Sequence, residues 1–533
     1  MKIKSIRYGF ANNSSSSHSI VFMGDYKTKD EHHSLDHYGS NDFTLASETE
    51  KKKYLLSNLL SNNFVNFIPR TPLTEKAGWT NPFDKDQVEK KYNLSYKELP
   101  ETKHGALLEY GEDIIEKVKK DYIFEAYDGF FSKELIEDAV ENRVYVDHQS
   151  VMYLPKDLNG LVNNKFVKEL FSVIIKENFA ILGGSDGGEH SLIELATSSK
   201  DESVIAVLKI LNFMNSHTNS ICVYDEENDD FVLQGVNVGD KMRVSFNSNS
   251  ETTKSSIPEL LDLKITDNCN YNCKFCYQSS TKEGKHADFE NIKKVITMLS
   301  NSKTMEIAIG GGEPTNHPDL LEILQEIRKK NMLACFTTKN FKLHERPDFE
   351  DIIKTANSIA FSCNSFSEIE KVKIIVNYCR DKSWYFEYAN VAKIYIQVIP
   401  ELMTDKLFND CMEYMGSEMN NLPVTLLGYK DFGFGENYKP NNRFSTPDWI
   451  DVVKHHSKEN YIRFGIDSVL VSKWENELIE RGVDPMALVG KEGKFSCYLD
   501  AVKMIIHKSS FSKEPGIQLT GEEKDVKKEF ATF

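Results

Sequence analysis

Three cysteines in the run DNCNYNCKFCYQ, Cys269, Cys273 and Cys276, stand at C-x3-C-x2-C spacing directly after the apolar segment 261–265. Three thiolates on one short loop can hold three irons of a cubic [4Fe–4S] cluster and leave the fourth iron open to a small molecule. Structural zinc is the competing use of short cysteine spacings, and it wants four closed ligands, normally in two pairs. The next cysteines, Cys222 and Cys335, lie in apolar stretches that read as strands, and His286 and His317 lack a paired spacing. Ligand count and placement both fail for zinc, so a cluster is the expected metal group.

Further along, a short strand candidate at 306–309 runs into Gly310-Gly311-Gly312-Glu313-Pro314. The cysteine loop carries Phe275 immediately before its last cysteine, giving C-x3-C-x-aromatic-C. The two motifs together resemble those of the radical S-adenosylmethionine (SAM) superfamily. The resemblance implies one [4Fe–4S] cluster on Cys269, Cys273 and Cys276, and SAM chelating the open iron. It also implies that the GGGEP glycines admit the methionine part of SAM to the backbone, with the acidic end binding its ammonium group. Ser362 and Asn364 would then meet the ribose and carboxylate, and Ile396, Gln397 and Val398 the adenine. For these five residues the competing reading is ordinary barrel-strand residues. The implied chemistry is reductive cleavage of SAM to a 5′-deoxyadenosyl radical that abstracts a substrate hydrogen, with an electron donor such as a flavodoxin or ferredoxin as partner.

The elements around these motifs alternate. A strand at 261–265 precedes apolar residues Phe289, Ile292, Val295, Ile296 and Leu299 at helical spacing, and a strand follows at 305–309. The pattern repeats with helices near 320–327, 349–355, 367–378 and 405–415, and strands at 332–337, 358–362, 391–399 and 424–428. Strands alternating with helices predict a parallel sheet, open or curled, and periodicity does not choose between them. The resemblance implies an α/β, TIM-like partial (β/α)6 barrel with its cofactors at the C-terminal strand ends. After the third strand, Lys339 faces that mouth if the register is right; otherwise it is a solvated loop lysine.

The predicted organisation is an N-terminal α+β accessory domain at 1–255 ending in a polar linker, the barrel at 256–435, and a C-terminal extension at 436–533 packing on the barrel. In the first part, the tract 12–18 reads as a polar loop or a recognised peptide tag. His32, His33 and His37 sit in a polar stretch, and 183–188 is a glycine turn that lacks the Lys-Ser/Thr ending of a P-loop. A helix at 203–215 and a hairpin from 220–224 and 230–234 complete it. The segment around Tyr429 and Lys430 resembles a strand end of some radical SAM enzymes that faces substrate; its competing reading is a loop that covers the barrel end. Cys497, the tail's lone cysteine, with Tyr498 beside it, is a candidate hydrogen-atom or electron donor, or else a buried structural thiol. One cysteine cannot build the auxiliary clusters of many peptide-modifying relatives, so one cluster is expected.

Nine cysteines among 533 residues are no disulfide framework, and a labile cluster needs a reducing compartment. The opening residues have no secretory pattern, and no apolar run is long enough to span a bilayer, so a cytoplasmic protein with no membrane partner is expected. A formal charge of −16 argues against a broad nucleic-acid surface. The expected function is an enzyme, an oxidoreductase or a transferase, whose radical chemistry modifies a peptide or protein. The alternatives are radical chemistry on a small molecule or nucleotide, and a non-catalytic cluster-bearing sensor or scaffold.

Overall fold

The computed structural model of the chain describes residues 254–381 without a break, segments of 392–533, and separate segments within 2–246. The tract 12–18, His32, His33 and the glycines after Gly183 lie outside the described residues, and His37 falls in the two-residue strand His37–Tyr38.

The accessory part carries an antiparallel sheet of β1 (Lys2–Arg7), β2 (Ser220–Asp225), β3 (Asp230–Gly235) and β4 (Lys241–Ser245), in the order β1-β4-β3-β2. The sequence hairpin is β2–β3, with Val223 opposite Val232. Helices Asn164–Lys176 and Glu202–Ser216 bury Phe166, Leu170, Ile174, Ile210 and Met214 against it.

The barrel sheet starts at β5 (Leu260–Thr266). Leu261, Leu263 and Ile265 alternate towards the helical layer, and Asp262 and Lys264 towards the interior. Parallel strands β6 (Glu306–Gly311), β7 (Leu333–Thr338), β8 (Ser358–Ser362), β9 (Lys393–Val398) and β10 (Val424–Leu426) follow on one side. Between them, helix Phe289–Asn301 is capped by the Asp288 carboxylate, which accepts from Asn291 N at 3.2 Å, and buries the apolar stripe expected from its spacing. Helices Leu320–Lys329, Phe349–Thr355, Phe366–Asp381 and Asp405–Glu418 complete the alternation.

The sheet does not stop at the six expected strands. β11 (Phe464–Ile466) pairs parallel with β10, and β12 (Ser496–Asp500) pairs parallel with β5 on its other side. Beyond β12 the short strands β13 (Ile505–His507) and β14 (Ile517–Gln518) are antiparallel, and the sheet has ten strands among the described residues. The segment 436–533 thus adds strands at both flanks of the sheet. The apolar run 498–506 divides because Asp500 accepts from the backbone N–H groups of Val502 and Lys503, turning the chain between β12 and β13.

The accessory sheet docks at the N-terminal ends of the barrel strands, opposite the cysteine loop. Gln234 Nε2 donates to Glu306 Oε2 at 2.8 Å, and Asn357 Nδ2 donates to Val236 O at 3.1 Å. At the centre is Arg243, fully buried, which reaches Asp225 at 3.1 Å, Asp230 at 3.0 Å, Ser255 Oγ at 2.7 Å and the Glu259 carboxylate. Burial works against the Asp225 carboxylate, but hydrogen bonds from Ser256 and Asn228 and the Arg243 charge hold its pKa down at about 2.

Arg243→Met strands three buried carboxylates, so it is expected to cost about 3–5 kcal/mol in denaturant unfolding. The Asp225 pKa is depressed on folding, so its contribution is present above the ordinary aspartate range and is lost as pH falls towards about 2. That loss is about 2 kcal/mol. Unfolding free energies measured from pH 6 downwards should show it, and Asp225→Asn should flatten that acid limb by about one proton.

Candidate cofactor and active site

A cavity of about 770 Å³ occupies the barrel interior and opens at the C-terminal strand ends. Cys269, Cys273 and Cys276 line it and are half-buried. Their loop leaves β5 with Asn268 N bonded to Thr266 Oγ1 at 2.9 Å, and Cys269 N donates to Thr281 O at 2.8 Å. The turn needs a left-handed residue before Cys273, and Asn272 supplies it at φ +54°. Cys276 N donates to Cys273 O at 3.1 Å, closing the C-x2-C turn. Burial pushes the Cys269 and Cys273 thiols up. Among the described residues no group of three His, Cys, Asp or Glu converges on a point that one metal ion could occupy. Phe275 also lines the cavity, its ring 6.0 Å from that of Tyr438.

The glycine motif lies directly against this loop. Gly312 N donates to Thr266 O at 2.7 Å and Glu313 N to Asn268 O at 2.8 Å. A Cβ on Gly311, at φ +117°, would collide with the Thr266 carbonyl, and one on Gly312 with that of Asn268. Gly310 differs: a Cβ there meets nothing within 4 Å. Glu313 lines the cavity, yet its carboxylate is buried and accepts four hydrogen bonds from the protein. The donors are Thr315 N at 3.1 Å, Thr315 Oγ1 at 2.7 Å, Thr338 Oγ1 at 2.6 Å and Lys339 N at 2.9 Å. Three of these bonds fall on Oε1 and one on Oε2, so Oε2 retains acceptor capacity for an ammonium group brought there. Pro314 is buried and opens the short 3-10 turn Pro314–Asn316.

Ser362, the last residue of β8, and Asn364 just beyond it line the same cavity. Asn364 Oδ1 accepts from Ile399 N at 3.2 Å, tying the ends of β8 and β9 together. In β9 the strand alternation separates the expected residues: Gln397 lines the cavity, whereas Ile396 and Val398 pack into the helical layer. Lys339 also lines the cavity, paired with Glu368 at 2.7 Å. Tyr429 and Lys430 are in the wall. Lys430 Nζ lies 4.6 Å from the Tyr277 ring centre and 4.9 Å from that of Phe511. Cys497 is not brought to the cavity; in β12 it faces the core, and its neighbours Ser496 and Tyr498 face inward. Tyr498 is buried, its hydroxyl 3.3 Å from Gln278 Oε1, and burial pushes its pKa well up.

Sequence reasoning missed the charges further in. Lys264 pairs with Asp267 and, at 3.2 Å, with Asp500. Burial opposes the Lys264 charge, but these carboxylates hold its pKa above the ordinary lysine value. Lys241 of the accessory sheet reaches Glu259 at 3.4 Å at the inner end of the cavity. Period-two alternation in β5 was the available signal for Asp262 and Lys264; nothing local signals Lys241.

The chain fits a cluster and SAM. Three thiols share one wall, the backbone adjoining their loop is glycine, and beside Gly310 there is open space. Cys269, Cys273 and Cys276 would hold the cluster, and the Gly310–Gly312 backbone with Ser362, Asn364 and Gln397 would hold SAM.

A parallel β/α sheet carrying this loop and glycine motif at its C-terminal end defines a radical SAM domain. Residues 263–405 match the Radical SAM superfamily model, and members of that superfamily use a [4Fe–4S] cluster and SAM. A putative glycyl-radical enzyme activating enzyme of Methanocaldococcus jannaschii is 22% identical over 198 residues, 36% of this chain and 73% of that one. A GTP 3′,8-cyclase of Actinobacillus pleuropneumoniae is 29% identical over 94 residues, 16% of this chain and 28% of the cyclase. The structure of Streptococcus suis SuiB bound to S-adenosylmethionine aligns at TM-score 0.40 and 11% identity over 68% of this chain and 80% of SuiB, a likeness that carries no argument.

Gly310→Ala is expected to leave melting and iron loading unchanged but to weaken SAM binding about tenfold, because the added methyl enters cofactor space. Equilibrium dialysis with labelled SAM measures this, and wild-type affinity would place SAM elsewhere. Gly311→Ala should instead lower the melting temperature, since its strain is internal to the protein.

Proposed function

We propose that the chain is a radical SAM enzyme that modifies a peptide or protein side chain, held in the part of the cavity away from the cysteines. When bound, the cluster and SAM supply a one-electron cleavage whose 5′-deoxyadenosyl radical removes a substrate hydrogen. The residues of the chain position the two cofactors and the substrate and keep water out.

The observation that carries the choice of substrate class is the charge of the wall. A nucleoside triphosphate calls for converging Lys and Arg side chains. Among the described residues the wall holds Lys241, Lys264, Lys339 and Lys430 and no arginine. The first three lie against carboxylates, and Lys430 lies between two rings. Such a wall suits a side chain of no strong negative charge. Support for the small-molecule reading comes from the cyclase, whose match covers 16% of this chain.

The reconstituted, reduced protein should form 5′-deoxyadenosine from SAM, and Cys273→Ala should form none. Stimulation by the macromolecular fraction of host cells that is abolished by protease supports the peptide reading. Stimulation by a low-mass filtrate or by GTP overturns it. Absence of deoxyadenosine with every fraction, despite an intact cluster spectrum, favours the scaffold reading.

A further inference from the structure

The segment after β10 folds back over the outer side of the cysteine loop. Tyr429 stands at its start and the 3-10 turn Gly433–Asn437 at its end. Phe434 N donates to Cys276 O at 2.9 Å, so the turn is bonded to the carbonyl of a cluster-ligand residue. Gly433, at φ +60°, lies so close that a Cβ would stand 2.5 Å from Tyr277 O and 2.6 Å from Ser279 Oγ. Tyr438 sets its ring near that of Phe275, tilted by 57° with centres 6.0 Å apart. The turn is therefore seated on the loop at Phe275, Cys276 and Tyr277, through a hydrogen bond, a close backbone approach and a ring contact.

Tyr429 holds this arrangement from the other side. Its hydroxyl lies 2.8 Å from Gly435 O and 2.8 Å from Tyr438 O, the middle of the turn and the residue beyond it. Its backbone N–H is bonded to the Glu401 carboxylate, whose other oxygen pairs with Lys473 at 2.7 Å. The phenol, anchored at its own backbone, bridges to the two carbonyls that set how the strap lies. A phenylalanine would keep the ring and lose only that bridge.

We propose that Tyr429 is a positioning residue for the cluster: its hydroxyl clamps the strap 429–438 onto the cysteine loop, so that the strap covers the Cys276 side of the cluster from solvent. The sequence leaves Tyr429 either facing substrate or in a loop that covers the barrel end; the geometry keeps it in the cavity wall and gives its hydroxyl partners in the strap. The reduction potential and oxygen lability of an iron–sulfur cluster depend on solvent access, so loosening the strap changes both. The inference rests on the cluster's place at the three cysteines and is independent of the substrate.

The test compares Tyr429→Phe with wild type in three measurements. In the metal-free protein, hydrogen exchange of the Phe434 amide should quicken at least about fivefold, a loss of roughly 1 kcal/mol of local protection. In the reconstituted protein the cluster absorbance should bleach several-fold faster in air, and the cluster potential should rise, because added water favours the more negative reduced state. Gly433→Ala disrupts the same seat from the loop side without touching the phenol and should give the same pattern, and it decides the matter if Tyr429→Phe does not fold. Exposed Glu436→Gln should match wild type. A purely structural role would lower the melting temperature and leave bleaching and potential as in wild type. Wild-type bleaching and potential in both variants overturn the proposal.

Discussion

The junction at the C-terminal ends of β5 and β6 is the constraint on which the rest of the site depends. There the Gly312 and Glu313 amides bond to Thr266 and Asn268, and no side chain can intervene at Gly311 or Gly312. The thiol-bearing loop starts at the same residues, so the cysteines and the glycine motif keep one fixed relation. Glu313 extends the junction to a third strand, since its buried carboxylate gathers Thr315, Thr338 and the Lys339 amide. A buried carboxylate held by four donors tolerates little movement, because each lost donor leaves charge less compensated in a poorly solvated place. The cofactor wall is thus rigid for an electrostatic reason as well as a steric one.

At the other end of the strands a second set of buried charges, around Arg243, joins the accessory sheet to the barrel. Glu259 belongs to both, since it receives Arg243 and Lys241 and also forms part of the cavity's inner end. The described accessory part therefore bears on the cavity from beneath and leaves the cysteine side uncovered by its sheet. Its docking points to a role in shaping the floor.

Much of the barrel was legible because each of its signals is local. Cysteine spacing, the glycine run and the alternation of 2.0- and 3.6-residue periods each survive in a single sequence. β11 was legible only as an apolar stretch at 461–466: it is three residues long, with exposed Gly465 between two half-buried residues, too short for an alternation to mark it as a strand. β12 lies far from β5 in the chain, and no local pattern announces a partner at that distance. The same limit applies to the site. Gln397 faced the cavity and Val398 did not, a matter of one residue's register that the motif resemblance could not resolve. Tyr429 reads identically whether its hydroxyl meets substrate or backbone, and only the fold of the strap decides.

The two late strands also bear on specificity. Inward-facing groups of β6 to β9 and the residues just past them are the glycines, Thr338 with Glu313, Lys339 with Glu368, Ser362 and Gln397, the groups that would face the cofactors. Besides β5 and the inner end at Lys241 and Glu259, a further part of the wall comes from β10 to β12 and the loops beyond them, including Thr425, Tyr429, Ile466, Ser468, Ser496 and Tyr498. Most of these belong to the segment 436–533, the part with no recognisable motif. Cofactor chemistry needs the same geometry whatever is being modified, whereas recognition must differ for each substrate. Motif-bearing and motif-free walls facing one cavity are what that division of labour requires, so the determinants of substrate choice are to be sought in the tail strands rather than in the motifs.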